Sequence, residues 1–230
     1  DSSQTIAVAS HLNPDGDNLG SATAMIGMLN ELGKKPIFVL DDLIPSSFKF
    51  LPNLSFAKNP DDIDTTFDLF IALDSSDEDR MGDRVKEIFN KSKKTVNIDH
   101  HFSNKNYADL NIVDEKSPAT CEILARIFKS LGLNLNKEIA TSLFTGLSTD
   151  TGSFKYSSVT SQTFEIASDL FKYNIDINEV TQNVYQSRSR QKTDLLIRAM
   201  NSIEYFDEER IAVVLVTKDD MENTKAAKSD

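Results

Sequence analysis

The stretch VNIDHHFSN, Val96 to Asn104, sets an aspartate and two adjacent histidines directly after a short apolar run. Three further stretches carry acids in a comparable setting. ASHLNPDGDN supplies His11, Asp15 and Asp17, IALDSSD supplies Asp74, and GLSTDTGSF supplies Asp150. Taken singly, each is ordinary: Asn-Pro-Asp-Gly suits any surface turn, and Asp74 or Asp150 would serve as a helix cap. The combination is not ordinary, because all three histidines of the chain fall within these motifs, each close to an acid. Four or more carboxylates gathered in one place repel one another and lose hydration. Something cationic has to offset them. The motifs contain no Lys or Arg, so a bound metal is the simplest counter-charge. Mixed imidazole and carboxylate ligation suits Mn, Zn, Co or Fe better than Ca or Mg. The candidates exceed what one ion needs, which predicts two divalent ions about 3.5 to 4 Å apart, sharing one carboxylate.

The elements that would position these groups can be read from the patterning. TIAVAS, PIFVLD, DLFIALDSSD and KTVNIDHH read as four strands, alternating with helical stretches at Leu19 to Leu32 and in DRVKEIFNK. That alternation predicts an α/β fold with a doubly wound, mainly parallel sheet flanked by helices. In such sheets ligands bind beyond the carboxyl ends of the strands, and the acids and histidines sit at three of the four predicted ends. From Ala119 onward helices dominate: Ala119 to Leu131, Lys137 to Leu147, Ser161 to Tyr173, and two more through Met200. Asp150 is expected in a turn between helices. RIAVVLVTKD reads as an isolated strand opening a second, smaller domain, with a boundary near Asn201.

Composition narrows the function. A chain of 230 residues, 39% hydrophobic, buries a full core, and its net charge of −11 argues against tracking along a long nucleic acid. The single cysteine, Cys121, lies in an apolar helical stretch and reads as a small buried hydrophobe, which points to a reducing, cytoplasmic setting. No apolar run is long enough to span a bilayer. The chain lacks an initiating Met and ends in a polar stretch just after an apolar strand, as a piece of something longer would.

SHLNPDGDNLGS, LDSSD, IDHH and STDTGSF, in that order, resemble the four motifs of the DHH family of phosphoesterases, and SPATCEI resembles the segment preceding that family's helical half. The resemblance covers Ile6 to about Met200. It is strongest to bacterial enzymes that degrade very short RNA and dephosphorylate phosphoadenosine phosphate. It implies two Mn2+ ions, one held by His11, Asp15 and Asp74, the other by Asp17, Asp74, His100 and Asp150, with Asp74 bridging. It also implies that His101 faces the substrate phosphate while Asp99 orients its neighbours. The reaction so implied is in-line attack on phosphorus by a hydroxide bridging the metals. Residues 1–200 would form the DHH phosphoesterase domain, and 201–230 a linker and first strand of a truncated C-terminal substrate-binding domain. The family's glycine-rich, His-containing nucleotide-binding motif has no counterpart after Asn201.

The expected partners are a short RNA or small nucleotide, with no long nucleic acid and no membrane; a homodimer is admitted but not required. Arg80, Lys105, Lys155, Arg188 and Arg190 are candidate phosphate contacts, the last two in the locally dense QSRSRQK. Gly16, Gly20 and Gly152 either let backbone approach a phosphate or simply serve turns. The rival readings are a cyclic di-adenylate phosphodiesterase, a family-related inorganic pyrophosphatase, and an aspartyl-phosphate phosphatase using DGD. A receiver module would need a lysine at a late strand end, which the first half lacks.

Overall fold

The computed structural model describes residues Ser3–Ala226. The chain divides into two compact units, 1–184 and 185–230.

In the first unit, β1 (Thr5–Ala9), β2 (Lys35–Val39), β3 (Ala57–Lys58), β4 (Leu69–Leu73), β5 (Thr95–Asp99) and β6 (Leu110–Val113) form one six-stranded sheet, ordered β3-β2-β1-β4-β5-β6. Every pairing is parallel. The chain winds outward from β1 to β3, returns to β4 beside β1, and winds outward again. This reversal opens a crevice at the carboxyl ends of β1 and β4, where doubly wound folds bind ligands. Two of the strands were not foreseen. β3 has two residues and β6 four, and β6 carries only partly covered side chains, so neither edge strand shows the apolar run that marks a strand buried on both faces.

Side chains alternate between the two faces of the sheet. Ile6, Val8, Ile71 and Leu73 join the larger core with α1 (Gly16–Glu31), α3 (Thr120–Ser130), α4 (Lys137–Asp150) and α5 (Ser161–Phe171). Ala7, Ala9, Phe70 and Ala72 pack on the other face against Val85 and Phe89 of α2 (Asp83–Lys91). α1 is buried almost throughout, from Gly16 to Leu29. Fully covered side chains such as Leu19 and Ile26 each contribute about 1.5–3 kcal/mol by leaving water. α6 (Ile177–Thr181) closes this part of the chain.

α4 runs past the expected end at Leu147, so Asp150 is the last residue of a helix and not part of a turn. The Ser/Thr/Gly composition of this stretch suggested a loop. Its hydroxyls instead bond back to their own helix: the buried Thr145 Oγ1 to the Thr141 carbonyl at 2.8 Å, and the half-buried Thr149 Oγ1 to the Gly146 carbonyl at 2.9 Å. The helix stops where Gly152, at φ +57°, enters the left-handed region.

The second unit holds α7 (Arg190–Asn201), β7 (Glu204–Phe206), β8 (Ile211–Val213) and α8 (Lys218–Thr224). Its start lies well before the expected boundary near Asn201, because α7 is tied to the C-terminal hairpin and helix. Arg198 pairs with Asp220, and Ser202 Oγ exchanges hydrogen bonds with Leu215. The predicted isolated strand is the second half of an antiparallel hairpin, β7 with β8. No helix among the described residues is long and apolar enough to cross a membrane.

Candidate metal centre

Each acid or imidazole of the four motifs stands at the end of an element. His11 follows β1. Asp15 precedes α1 and caps it, accepting from the Asn18 N–H at 3.0 Å, while Asp17 in the first helical turn points inward and is fully buried. Asp74 follows β4 in the left-handed conformation (φ +52°), a geometry that an L-residue holds only where its surroundings dictate it. His100 and His101 follow β5, and Asp150 ends α4. Five elements distant in sequence thus deliver six candidate ligands to one crevice.

The imidazoles are oriented by backbone carbonyls. His11 Nδ1 donates to the Leu12 carbonyl at 2.7 Å, which turns Nε2 toward Asp74 Oδ2 at 3.4 Å and Asp15 Oδ2 at 3.9 Å. His100 Nδ1 donates to the Ser117 carbonyl at 3.3 Å. Its Nε2 then faces Asp74 Oδ1 and Asp150 Oδ2, both at 3.5 Å, and Asp17 Oδ2 at 3.9 Å. That nitrogen is buried and has no hydrogen-bond partner. Metal–ligand bonds of about 2.0–2.2 Å put neighbouring ligand atoms about 3 Å or more apart, so these spacings suit an ion lying between the groups. Three clusters stand out among the described residues, His11 with Asp15 and Asp74, Asp17 with His100 and Asp150, and Asp74 with His100 and His101; within each, the donor atoms lie within 4.8 Å of one another. Asp74 turns one oxygen to each histidine.

The electrostatics point the same way. Asp17 is pushed well above the usual carboxylate range by burial, then by the charges of Asp74 and Asp150. Asp150 is pushed up to about 8 by burial and by Asp74 and Asp15. Asp74 moves oppositely: burial would raise it, yet contact with His11 and the nearby imidazoles outweighs that and holds it low. For His11, burial alone would lower the value, but Asp74 raises it above its ordinary position. Without metal, protons take the place a cation would fill.

His101 is set apart from this shell. Its Nδ1 donates to Asp99 Oδ1 at 2.7 Å, and that carboxylate is itself fixed by the His100 N–H at 2.9 Å and by Asn104 Nδ2 on its other oxygen at 2.6 Å. With Nδ1 carrying the proton, Nε2 is the ring atom left for other chemistry. The bond to Asp99 raises the His101 pKa, more than burial lowers it. His101 Nδ1 lies 3.8 Å from Asp74 Oδ1, but its commitment to Asp99 argues against a place among the ligands.

Several supporting groups escaped the sequence reading. Asn18 Nδ2 donates to the His11 carbonyl at 3.1 Å and its Oδ1 accepts from Ser10 Oγ at 2.6 Å, fixing the chain where it leaves β1. Asn104 reaches Asn97, which in turn donates to Tyr107. Thr120 donates to Asp74. Asn97 and Asn104 lie inside VNIDHHFSN and Thr120 inside SPATCEI, but nothing local marks their roles, since Asn97 also reaches the Ala72 and Ser75 carbonyls and Thr120 reaches Asp74.

The basic candidates divide. Arg80 is exposed, has no ion-pair partner among the described residues, and lies close enough to His101 for its charge to oppose protonation there. Lys105 is drawn to Asp77 at 3.4 Å. Lys155 is exposed just beyond the end of α4. Arg188 and Arg190 belong to the second unit, where Arg190 pairs with Asp194 at 3.6 Å. Two glycines serve neither suggested purpose. A Cβ on Gly16 would lie 2.3 Å from Thr149 Oγ1, and one on Gly20 would lie 2.6 Å from the Ser142 carbonyl oxygen. They let α1 and α4 approach closely, bringing Asp17 and Asp150 together.

A doubly wound α/β sheet with a mixed imidazole and carboxylate cluster at its topological switch point therefore defines the class of this protein. Residues 5–147 match the family model described as DHH family, N-terminal domain, and the chain belongs to the DHH family. It is 32% identical over 179 residues to a bifunctional oligoribonuclease and PAP phosphatase of Thermus thermophilus, an alignment covering 78% of this chain and 53% of that protein. It is 28% identical over 191 residues to the protein of the same name from Bacillus subtilis, covering 80% and 58% respectively. The chain thus spans little more than half the length of these curated relatives. Among solved structures, an exopolyphosphatase-related protein of Bacteroides fragilis superposes with a TM-score of 0.92 at 22% identity, over 99% of this chain and 69% of that one. That likeness bears on the fold.

Proposed function

We propose that this chain carries the catalytic centre of a metal-dependent phosphoesterase acting on short nucleotides: oligoribonucleotides of a few residues, linear di-adenylate or phosphoadenosine phosphate. The observation that carries the reading is the unpartnered Nε2 of His100, buried among the carboxylates of Asp17, Asp74 and Asp150. The ligand sets are His11, Asp15 and Asp74 for one ion and Asp17, Asp74, His100 and Asp150 for the other, with Mn2+ the expected metal. The names of the relatives support the substrate class.

Two such ions supply Lewis-acid polarisation of phosphoryl oxygens and a nucleophile at neutral pH. The chain's own residues do the rest. Asp99 holds the proton of His101 on Nδ1, which leaves Nε2 to donate a hydrogen bond or a proton to the departing oxygen when the ring is charged. Arg80, free of a carboxylate partner among the described residues, binds a phosphate oxygen beside it, and Lys155 is a second contact of this kind. Arg188 and Arg190 give the second unit a locally dense positive charge of its own. The buried Cys121 fits a cytoplasmic setting.

The test is a panel of phosphoadenosine phosphate, di-adenylate, cyclic di-adenylate, a short RNA and pyrophosphate, each with Mn2+ and the complete protein. The expected result is hydrolysis of phosphoadenosine phosphate and di-adenylate, abolished by Asp74→Ala or His100→Ala. Turnover of pyrophosphate alone, or unchanged rates in those variants, overturns the reading.

A further inference from the structure

Ser117–Cys121, the stretch that opens α3, touches three of the four side chains assigned to one of the two ions. α3 has no side-chain cap, since its N-cap residue, Ala119, carries no side-chain acceptor. The unpaired N–H groups of its first turn are satisfied by a residue far away in the sequence. Thr120 N donates to Asp17 Oδ2 at 2.6 Å and Cys121 N to Asp17 Oδ1 at 2.9 Å. The positive end of the helix thereby faces a fully buried carboxylate. Thr120 Oγ1 donates to Asp74 Oδ1 at 3.0 Å, the same oxygen that faces His100. The Ser117 carbonyl accepts from His100 Nδ1. The other ion's private ligands are held elsewhere, His11 by the Leu12 carbonyl and Asp15 by the Asn18 N–H.

We propose that Thr120 is a positioning residue: its hydroxyl and backbone N–H lock Asp74 and Asp17 into one unit, and this sets the affinity of the ion between Asp17, Asp74, His100 and Asp150 more strongly than that of the ion at His11 and Asp15, which the other oxygen of Asp74 faces. The proposal rests on the reading of this crevice as a metal centre. A carboxylate that rotates freely must be ordered by the ion itself, whereas one already fixed by a hydroxyl is not. Losing such an outer partner weakens metal binding by about 10–100-fold.

The experiment is Mn2+ titration followed by the electron paramagnetic resonance of free Mn2+, on wild type, Thr120→Val, Thr120→Ser and Thr120→Ala, with the metal-free melting of each variant recorded. Wild type binds two ions. In Thr120→Val the ion beside His100 weakens by about 10–100-fold and the ion beside His11 by clearly less, while Thr120→Ser, which retains the hydroxyl, stays near wild type. His11→Ala weakens the opposite ion. If Thr120→Val does not fold, the comparison of Thr120→Ala with Thr120→Ser decides; loss of fold in Thr120→Ala as well makes the residue structural and overturns the proposal. So does wild-type binding in Thr120→Val, equal weakening of both ions, or equal weakening by Thr120→Ser. Wild type that binds no Mn2+ removes the metal-centre reading itself, an outcome distinct from two bound ions that ignore residue 120.

Discussion

Asp74→Asn separates the cost of the charge cluster from its use. The substitution keeps the shape of the side chain but removes the charge that faces both His11 and His100. In the metal-free protein two effects oppose each other. The donor atoms of Asp17 and Asp150 lie within 4.8 Å of one another; at that spacing two full charges would repel by about 3.5 kcal/mol at an effective dielectric of about 20, which is part of why both acids hold protons at neutral pH. Asp74 opposes ionisation of both, so its neutralisation makes charging the cluster less costly. The same change removes the partner that holds His11 in its raised state. These effects nearly cancel, and the metal-free melting temperature moves by less than about 4 °C, the shift expected for about 1 kcal/mol in a domain of this size. With Mn2+ at 100 times its dissociation constant, each ion stabilises wild type by about 2.7 kcal/mol. Two ions then raise the melting point by about 11–22 °C. The variant, with its shared ligand neutral, gains less than about 5 °C on the same scale. Differential scanning calorimetry of chelator-treated protein, with and without Mn2+, reads both numbers. A wild-type gain in Asp74→Asn refutes the shared-ligand role, and a metal-free loss above about 10 °C shows instead that Asp74 is chiefly an ion-pair partner of the histidines.

Metal-free stability depends on pH with a sign fixed by the raised acids. Between the usual carboxylate pKa and about 8, Asp150 binds a proton in the folded chain that it has lost in the unfolded one. Its contribution is therefore fully present at acid pH and is lost as pH rises through that window; denaturant titrations across it show falling stability, and Asp150→Asn flattens the slope. A slope of opposite sign in the wild type refutes the buried, protonated state. His101→Gln removes the ring but no assigned ligand: it lowers turnover by about 100-fold or more while leaving Mn2+ affinity in place, and a parallel loss of affinity would instead make His101 a ligand. Gly20→Ala inserts a Cβ 2.6 Å from the Ser142 carbonyl oxygen and destabilises by about 1–3 kcal/mol, although alanine is intrinsically the better helix former by about 1 kcal/mol. Urea unfolding measures that balance, and a neutral or stabilised variant contradicts the tight α1–α4 approach.

The inner strands were legible because strands buried on both faces write themselves as apolar runs, as in LFIAL of β4 and IAVA within β1. Their carboxyl ends located the acids without any need for tertiary detail. The edges β3 and β6 were not legible, since short, half-covered strands lack that signature. Asp150 was misplaced in a turn, because hydroxyl groups that favour loops in water were here absorbed by the carbonyls of their own helix. The two glycines near the site were read for backbone freedom when close helix approach demands them. Thr120 lies in the quoted SPATCEI, but its role there was not legible, since its partners, Asp17 and Asp74, arrive from other elements. Proximity of that kind belongs to topology, which spacing along a chain does not encode.

The claim that His11, Asp15, Asp17, Asp74, His100 and Asp150 hold two divalent ions is tested most directly by crystals grown with Mn2+ and measured at a wavelength where manganese scatters anomalously. Two peaks are expected, one among His11, Asp15 and Asp74 and the other among Asp17, Asp74, His100 and Asp150. A map with no peak in this crevice, or with its peaks on other residues, contradicts the claim.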